Sequence, residues 1–145
     1  MEQINIGKFI GILNRQFQMY INTALNDTDL SFSEYIFLVN LYDNEGINQE
    51  ELSSILFINK SATARAMKIL EEKQFLIRKT CDKDKRAKRL YLTDKGREFK
   101  EYICSLLENW MNLITNGMNG ETIDIVANGL QFMAEKTRDP DYMNY

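Results

Sequence analysis

Histidine is absent from this chain of 145 residues, and cysteine and proline are scarce, with two and one residues respectively. Without histidine the chain lacks the usual general base, the Ser-His and Cys-His nucleophile pairs and the commonest ligand of transition metals. Cys81 and Cys104 form no CxxC pair, so they indicate neither a disulfide framework nor a thiolate metal site. A Gly-rich phosphate loop is also missing. These absences argue against an enzyme and predict no metal or other cofactor.

Long apolar runs are lacking as well. No stretch approaches the ~20 residues that a membrane span requires. The first residues show neither the basic flank nor the continuous apolar stretch of a secretory signal. We therefore expect a cytoplasmic protein with no membrane partner.

The positive charge is concentrated in one part of the chain. The net charge is -3, yet residues 60–100 hold 14 basic and 6 acidic residues, a local charge of +8. Phosphate binding depends on the local field of one surface, so this segment indicates a nucleic-acid partner despite the acidic total. The alternative is that these cations pair with acidic residues elsewhere in the chain.

Apolar residues at steps of three and four predict helices over about residues 4–25 and 31–43, with a capping box formed by Ser31 and Glu34. Two shorter helices follow, capped by Asn48 and Asn59 on either side of a turn at 57–59. The second of these carries a predicted inward stripe of Ala62, Ala66, Ile69 and Leu70.

Beyond residue 74 the apolar period shortens. Residues 75–80 and 89–93 read as two strands of a hairpin with a polar tip at 81–88. Helices are predicted from Asp94 to about residue 115 and over about 121–135. The fold is therefore mainly α with a small β-hairpin, in the order ααααββαα, as a single domain over 1–145.

Two short helices joined by a tight turn and followed by a hairpin are typical of a winged helix-turn-helix. The second helix is the candidate recognition helix, and its exposed face is predicted to carry Lys60, Ser61, Ala64, Arg65 and Lys68. Arg65 can donate two hydrogen bonds to guanine, and Thr63 is assigned to a thymine methyl or a phosphate. The alternative is an ordinary surface helix with scattered cations.

The hairpin supplies a second set of cations, and this set favours DNA binding over the alternative. Its DNA-binding candidates are Lys83, Lys85, Arg86 and Lys88, of which Arg86 is predicted to enter the minor groove. Asp84 is assigned the role of shaping the wing by pairing with a basic side chain.

Five motifs in order resemble those of the multiple antibiotic resistance regulator (MarR) family. They are residues 30–35 (LSFSEY), 59–65 (NKSATAR), 70–78 (LEEKQFLIR), 82–87 (DKDKRA, with D-x-R at 84–86) and 92–96 (LTDKG, the family's LTxxG). The winged helix-turn-helix then occupies about 30–99. The resemblance implies a transcription regulator, expected to be a repressor, that binds duplex DNA at a pseudopalindrome.

The resemblance also implies a homodimer, formed by helices at about 1–28 and 100–138. Bulky apolar residues in these helices agree with a shared interface, although they could also serve the core of one chain. A small aromatic or amphipathic effector is the further implied partner, and its candidate pocket is lined by Phe9, Leu13, Phe17, Phe37 and Trp110. The alternative is that these side chains pack in the dimer core without a cavity.

The resemblance leaves some questions open. Zinc-sensing members use histidine, and peroxide-sensing members have a cysteine in the first helix; this chain has neither. Cys81, at the base of the cationic wing, is either a redox point or an unreactive exposed thiol, and Cys104 is expected to pack in its helix. The alternative function is a protein-interaction or anti-repressor module that does not read DNA.

Overall fold

Six helices and one antiparallel hairpin make up the computed structural model, which describes residues 4–81, 83, 87–139 and 141. The elements are α1 (Ile6–Ala24), α2 (Phe32–Leu41), α3 (Gln49–Leu56), α4 (Lys60–Glu72), β1 (Leu76–Thr80), β2 (Lys88–Leu92), α5 (Asp94–Ile114) and α6 (Gly120–Lys136). This order confirms the predicted ααααββαα arrangement. None of the helices in the described ranges combines the length and the apolar character needed to cross a membrane.

The chain divides into two compact units, Met1–Leu107 and Glu108–Tyr145, with the boundary inside α5. Within the first unit, one cluster of buried side chains joins α1, α2, α4, the hairpin and the first part of α5. Helix α2 is the central helix of this core. Its Tyr35, Phe37, Leu38 and Leu41 are all buried.

The predicted helix starts are confirmed. The Ser31 N–H donates to Glu34 Oε2 at 3.1 Å, which with the Ser31 side chain completes the capping box of α2. Asn48 and Glu51 form the same device at α3, and Asn59 accepts from the Ala62 N–H at 2.7 Å to cap α4. These caps satisfy backbone donors that a helix leaves without an internal partner, so each helix begins where its polar cap stands.

The inward stripe of α4 differs from the prediction. Thr63, Ala66, Met67 and Leu70 are buried, whereas Ile69 is 38% exposed. Helix α4 contacts α2, α3 and β1, and these three neighbours determine which of its sides is covered. The helix is therefore rotated by about one residue from the orientation that its most apolar side chains indicated.

A third backbone segment pairs with the wing, which the sequence analysis did not predict. β1 and β2 pair from Leu76 opposite Leu92 to Thr80 opposite Lys88. On the other side of β2, the Leu90 N–H donates to the Ile47 carbonyl at 2.9 Å. The Leu90 carbonyl accepts from the Gly46 N–H at 2.7 Å. The segment before α3 thus pairs with β2, so the hairpin is tied to the helix-turn-helix through the backbone.

The second unit contains the end of α5 and the whole of α6. Its main element, α6, contains no buried residue. Ile125, Val126, Leu130 and Phe132 are between 43% and 65% exposed. Such an apolar surface is unusual on a helix that stays in contact with water.

Candidate nucleic-acid interface

Helix α4 exposes a narrow face that carries most of the predicted DNA contacts. Lys60, Ser61, Arg65 and Lys68 are exposed, and Ala64 is half-buried. The spacing of 61, 65 and 68 places these side chains on one side of the helix. Because residues 61 and 64 are small, the backbone at this end can approach another molecule closely.

Thr63 was predicted to contact DNA, but the structure buries it. Its side chain is 1% exposed, and its hydroxyl donates to the Asn59 carbonyl at 3.0 Å. A threonine can satisfy its hydroxyl within its own helix turn, which lets it occupy an inward position. Thr63 therefore helps to seat α4 on the core, and its side chain does not belong to the exposed face.

On the wing, Lys88 begins β2 and is exposed, and Lys83 in the connection is exposed as well. Asp84, Lys85 and Arg86 lie outside the described residues, so their assigned roles stay predictions. Across the base of the tip, the Cys81 N–H donates to the Ala87 carbonyl at 3.1 Å. The strands thus hold Lys88 close to the helix-turn-helix.

A cleft of about 500 Å³ opens between the start of α3, the start of α4 and the wing. Its walls are formed by Asn48, Gln49, Glu50, Lys60, Ala64, Arg78, Ala87 and Lys88. Predicted residues from the recognition helix and the wing therefore meet at one concave surface. Three of the lining side chains are cationic and one, that of Glu50, is acidic. The sequence analysis did not predict an acidic residue at this site.

Arg78 connects the walls of the cleft. Its guanidinium donates to Glu71 Oε1 at 3.0 Å and to Gln49 Oε1 at 3.3 Å, and its backbone N–H donates to Glu71 Oε2 at 3.0 Å. The side-chain hydrogen bond from Arg78 is the main cause that holds the pKa of the Glu71 carboxyl below its ordinary value. One arginine thus links α4, β1 and α3, although the sequence had shown it only as one basic residue among many.

The cations of the basic segment fall into two groups: those paired with an acidic side chain and those without an ion-pair partner among the described residues. Lys73 contacts the buried Glu34 at 2.9 Å, and Lys95 contacts Asp29 at the same distance. Arg78 and Arg97 are paired as well, so the alternative of internal neutralisation holds for these cations. Among the described residues, neither Arg65 nor Lys88 has an ion-pair partner, and both residues are exposed. Lys88 still lies near enough to Glu71 to help lower the pKa of that carboxyl.

Lys60 and Lys68 are intermediate, because each has an acidic partner but the pair is exposed to solvent. Lys60 contacts Glu50 at 2.6 Å, and Lys68 lies 4.0 Å from Glu72. All four side chains are more than 60% exposed. Exposed pairs of this kind contribute only about 0 to 1 kcal/mol, so both lysines can exchange partners at little cost.

The residues of the predicted effector pocket lie in different environments. Phe37 is 4% exposed in the core, whereas Phe9 and Leu13 are 56% and 44% exposed. Phe17 packs edge-on against Phe32 with the ring centroids 5.9 Å apart. Trp110 belongs to the second unit, so the pocket as a whole stays a prediction.

The two cysteines are not bonded to each other. Cys81 is half-buried, and Cys104 is exposed on α5. The expectation that Cys104 packs in its helix is therefore wrong for the single chain, because its position on α5 lies off the stripe of Ile103 and Leu106 that faces the core. The described residues contain no cluster of three or more His, Cys, Asp or Glu suited to a metal ion.

The MarR family model matches residues 30–88, from the start of α2 into β2. The HTH-type transcriptional regulator YybA of Bacillus subtilis is 34% identical over 118 residues, which cover 81% of this chain and 79% of YybA. The chain belongs to the MarR family. Its fold agrees with that of other members, because a MarR regulator from Methanosarcina mazei Go1 is 31% identical and superposes with a TM-score of 0.83 over 93% of this chain and 97% of its own.

A second solved structure is informative about partners. A MarR-family regulator from Listeria monocytogenes, 28% identical, superposes with a TM-score of 0.90 over 94% of this chain and 91% of its own. That protein was crystallised in complex with a 26mer DNA. This MarR-family chain is thus a transcription regulator with a winged helix-turn-helix, and the known members that it resembles are regulators rather than enzymes.

Proposed function

We propose that this regulator binds duplex DNA with α4 in the major groove and with the wing over the adjacent backbone and minor groove. The observation that carries the proposal is the outward Arg65, which has small residues beside it on α4 and no ion-pair partner among the described residues. A helix fits the width of the major groove, and an arginine donates two hydrogen bonds to guanine O6 and N7. Arg65 is therefore the proposed base contact.

Lysines around Arg65 are assigned to phosphates. Lys60 on α4 and Lys88 on the wing both line the cleft, so a sugar-phosphate strand in the cleft would lie close to two ammonium groups. Phosphate contacts orient a protein on the duplex without reading sequence. The complex of the Listeria relative with a 26mer DNA supports DNA binding by this fold.

The proposal includes a homodimer. Phe9, Ile10 and Leu13 on α1 are 44% to 56% exposed, and α6 exposes a further apolar set. A second copy that covers these surfaces would remove them from water. A dimer presents two recognition helices to successive major grooves about 34 Å apart, which matches a pseudopalindromic site.

Repression and release by a ligand complete the proposed function. Bound at a promoter, such a dimer would block transcription, which makes a repressor the simplest role. A small aromatic or amphipathic effector that favours another spacing of the two recognition helices would release the DNA, since a ligand shifts an equilibrium by its differential affinity for the two states. The candidate lining residues of its pocket are those predicted above.

The test begins with selection of bound duplexes from a random pool, followed by titration of the selected duplex over a range of salt concentrations. Several lysines and arginines release condensed counterions on binding, so log affinity should fall steeply against log salt. Arg65→Ala should weaken binding by about 5- to 150-fold and relax the preference at one position in each half-site. Arg138→Ala, which removes the same charge beyond α6, is the control and should bind as the native protein does.

Two results would count against the proposal. The absence of an enriched sequence together with a salt-independent affinity would exclude DNA binding and favour a protein-interaction module on the same fold. An Arg65→Ala variant that equals the Arg138→Ala control in affinity and in sequence preference would show that Arg65 is not the base contact.

A further inference from the structure

An ion pair spans the mouth of the cleft between the two helices of the helix-turn-helix. Glu50, the second residue of α3, accepts from the ammonium group of Lys60, the first residue of α4, at 2.6 Å. The two side chains are 72% and 75% exposed, and both line the cleft. A carboxylate thus stands on the surface that is proposed to receive phosphates.

The cap of α3 does not need this carboxylate. Asn48 accepts from the Glu51 N–H at 2.8 Å, and Glu51 Oε2 accepts from the Asn48 N–H at 3.2 Å, so the neighbouring acid completes the capping box. An acidic side chain near a helix N-terminus is favourable by less than about 1 kcal/mol when exposed. The contact with Lys60 is therefore the specific interaction of the Glu50 side chain.

We propose that Glu50 competes with a DNA phosphate for Lys60 and so sets the affinity of the recognition helix. This inference rests on the proposed function. In the free protein Glu50 holds the ammonium group, and in the complex the same group turns to the phosphate in the cleft. The exchange leaves the Glu50 carboxylate beside a phosphate, and two such charges repel within the screening length of about 10 Å at 0.1 M salt.

Glu50→Gln is the direct test, because glutamine keeps the size of the side chain and removes its charge. The variant should bind the selected duplex about three- to fivefold more tightly at 0.1 M salt, as expected for the loss of one exposed ionic competitor. The gain should shrink toward onefold as salt rises, because screening weakens both the ion pair and the repulsion.

Glu51→Gln is the matched control. It removes the same charge from the same helix turn, and glutamine is accepted at the third position of a capping box. Glu51 does not line the cleft, so this variant should change affinity by less than about twofold at the same salt concentration. Thermal unfolding of both variants verifies that each is folded.

A double-mutant cycle of Glu50→Gln and Lys60→Gln decides whether Glu50 acts through Lys60. Lys60→Gln should weaken binding, and in its background Glu50→Gln should give a clearly smaller gain than it gives in the native protein, because only the repulsion of the phosphate is then left to relieve. An equal gain with and without Lys60 would overturn the inference, since Glu50 would then act by general repulsion. Weaker binding by Glu50→Gln with an altered sequence preference would also overturn it, because Glu50 would then contact a base.

Failure of the inference is distinguishable from failure of the proposed function. If the native protein binds the selected duplex with a steep salt dependence and Glu50→Gln equals Glu51→Gln, only the role of Glu50 is wrong. If the native protein binds no duplex at any salt concentration, the proposed function falls and the competition falls with it.

Discussion

Gly96 lies in the first turn of α5, against Phe75 in the connection between α4 and β1, and replacing it by alanine should destabilise the protein. An ideal Cβ at Gly96 would lie 2.2 Å from the Phe75 carbonyl oxygen and 3.3 Å from Leu92 Cδ2. Ordinary van der Waals contact begins at 3.4 Å, so the helix or the carbonyl must move by up to 1.2 Å, the difference between this distance and 2.2 Å. Because the nearest atom belongs to the backbone, no side-chain rotation can relieve the clash.

The size of the effect follows from what the movement disturbs. Overpacking in a close-packed site costs about 1 to 3 kcal/mol. The Thr93 N–H donates to the Phe75 carbonyl at 3.1 Å and the Tyr42 hydroxyl to the Gly96 carbonyl at 2.9 Å, and each bond contributes about 1 kcal/mol. Alanine regains up to about 1 kcal/mol by its higher helix propensity. A net loss of about 2 to 4 kcal/mol in the free energy of unfolding is expected.

Urea unfolding at equal protein concentration measures this loss, and the melting temperature should fall by about 5 to 10 °C. Gly7→Ala is the matched control, since Gly7 also stands in the first turn of a helix. Its Cβ would meet its nearest atom, Asn5 Oδ1, at 3.7 Å, so that variant should be neutral or slightly stabilised. A Gly96→Ala variant as stable as Gly7→Ala would refute the reasoning, because the Phe75 carbonyl would then be free to move.

Two further predictions concern the wing and the assembly. Glu71→Gln should lower the free energy of unfolding by about 1 kcal/mol at neutral pH, because it removes the charged partner of Arg78. Arg78 depresses the pKa of Glu71, so the stabilisation by the charged pair is present above the unfolded-state pKa of Glu71 and is lost as pH falls through its folded-state pKa. Urea unfolding at pH 7 and at about pH 3 should show the difference shrink in acid, and a constant difference would contradict the assignment. In sedimentation equilibrium the native protein should have twice the chain mass, Phe132→Glu should give monomer, and Gln131→Glu on the same helix should stay dimeric. A native monomer would exclude the dimer.

The helices and their order could be predicted because their signals are local. Ser31 and Glu34, or Asn48 and Glu51, stand within one turn of each other, so the cap that they form depends on few other residues. The 3.6-residue period likewise acts within each helix, and the helix-turn-helix followed by a wing can be recognised from such segments in order. The candidate interface on α4 and the wing was found at this level.

The rotation of α4 about its own axis required the tertiary structure. Judged by composition, Ile69 belongs inside and Thr63 outside, yet the packed helix has Thr63 buried and Ile69 exposed. The contacts of α4 with α2, α3 and β1 select the inward side, and Thr63 satisfies its hydroxyl on the Asn59 carbonyl. No local pattern contains those contacts.

The same division holds for the charges of the site. The sequence by itself determined that the segment from 60 to 100 is strongly basic and follows a helix-turn-helix. Only the tertiary structure decided which cations are held internally, since Lys73 meets Glu34 from 39 positions away and Arg97 meets Glu45 from 52. Arg65 is left facing outward and Lys60 is shared with Glu50, because ion pairing depends on distances of a few ångströms that folding alone establishes.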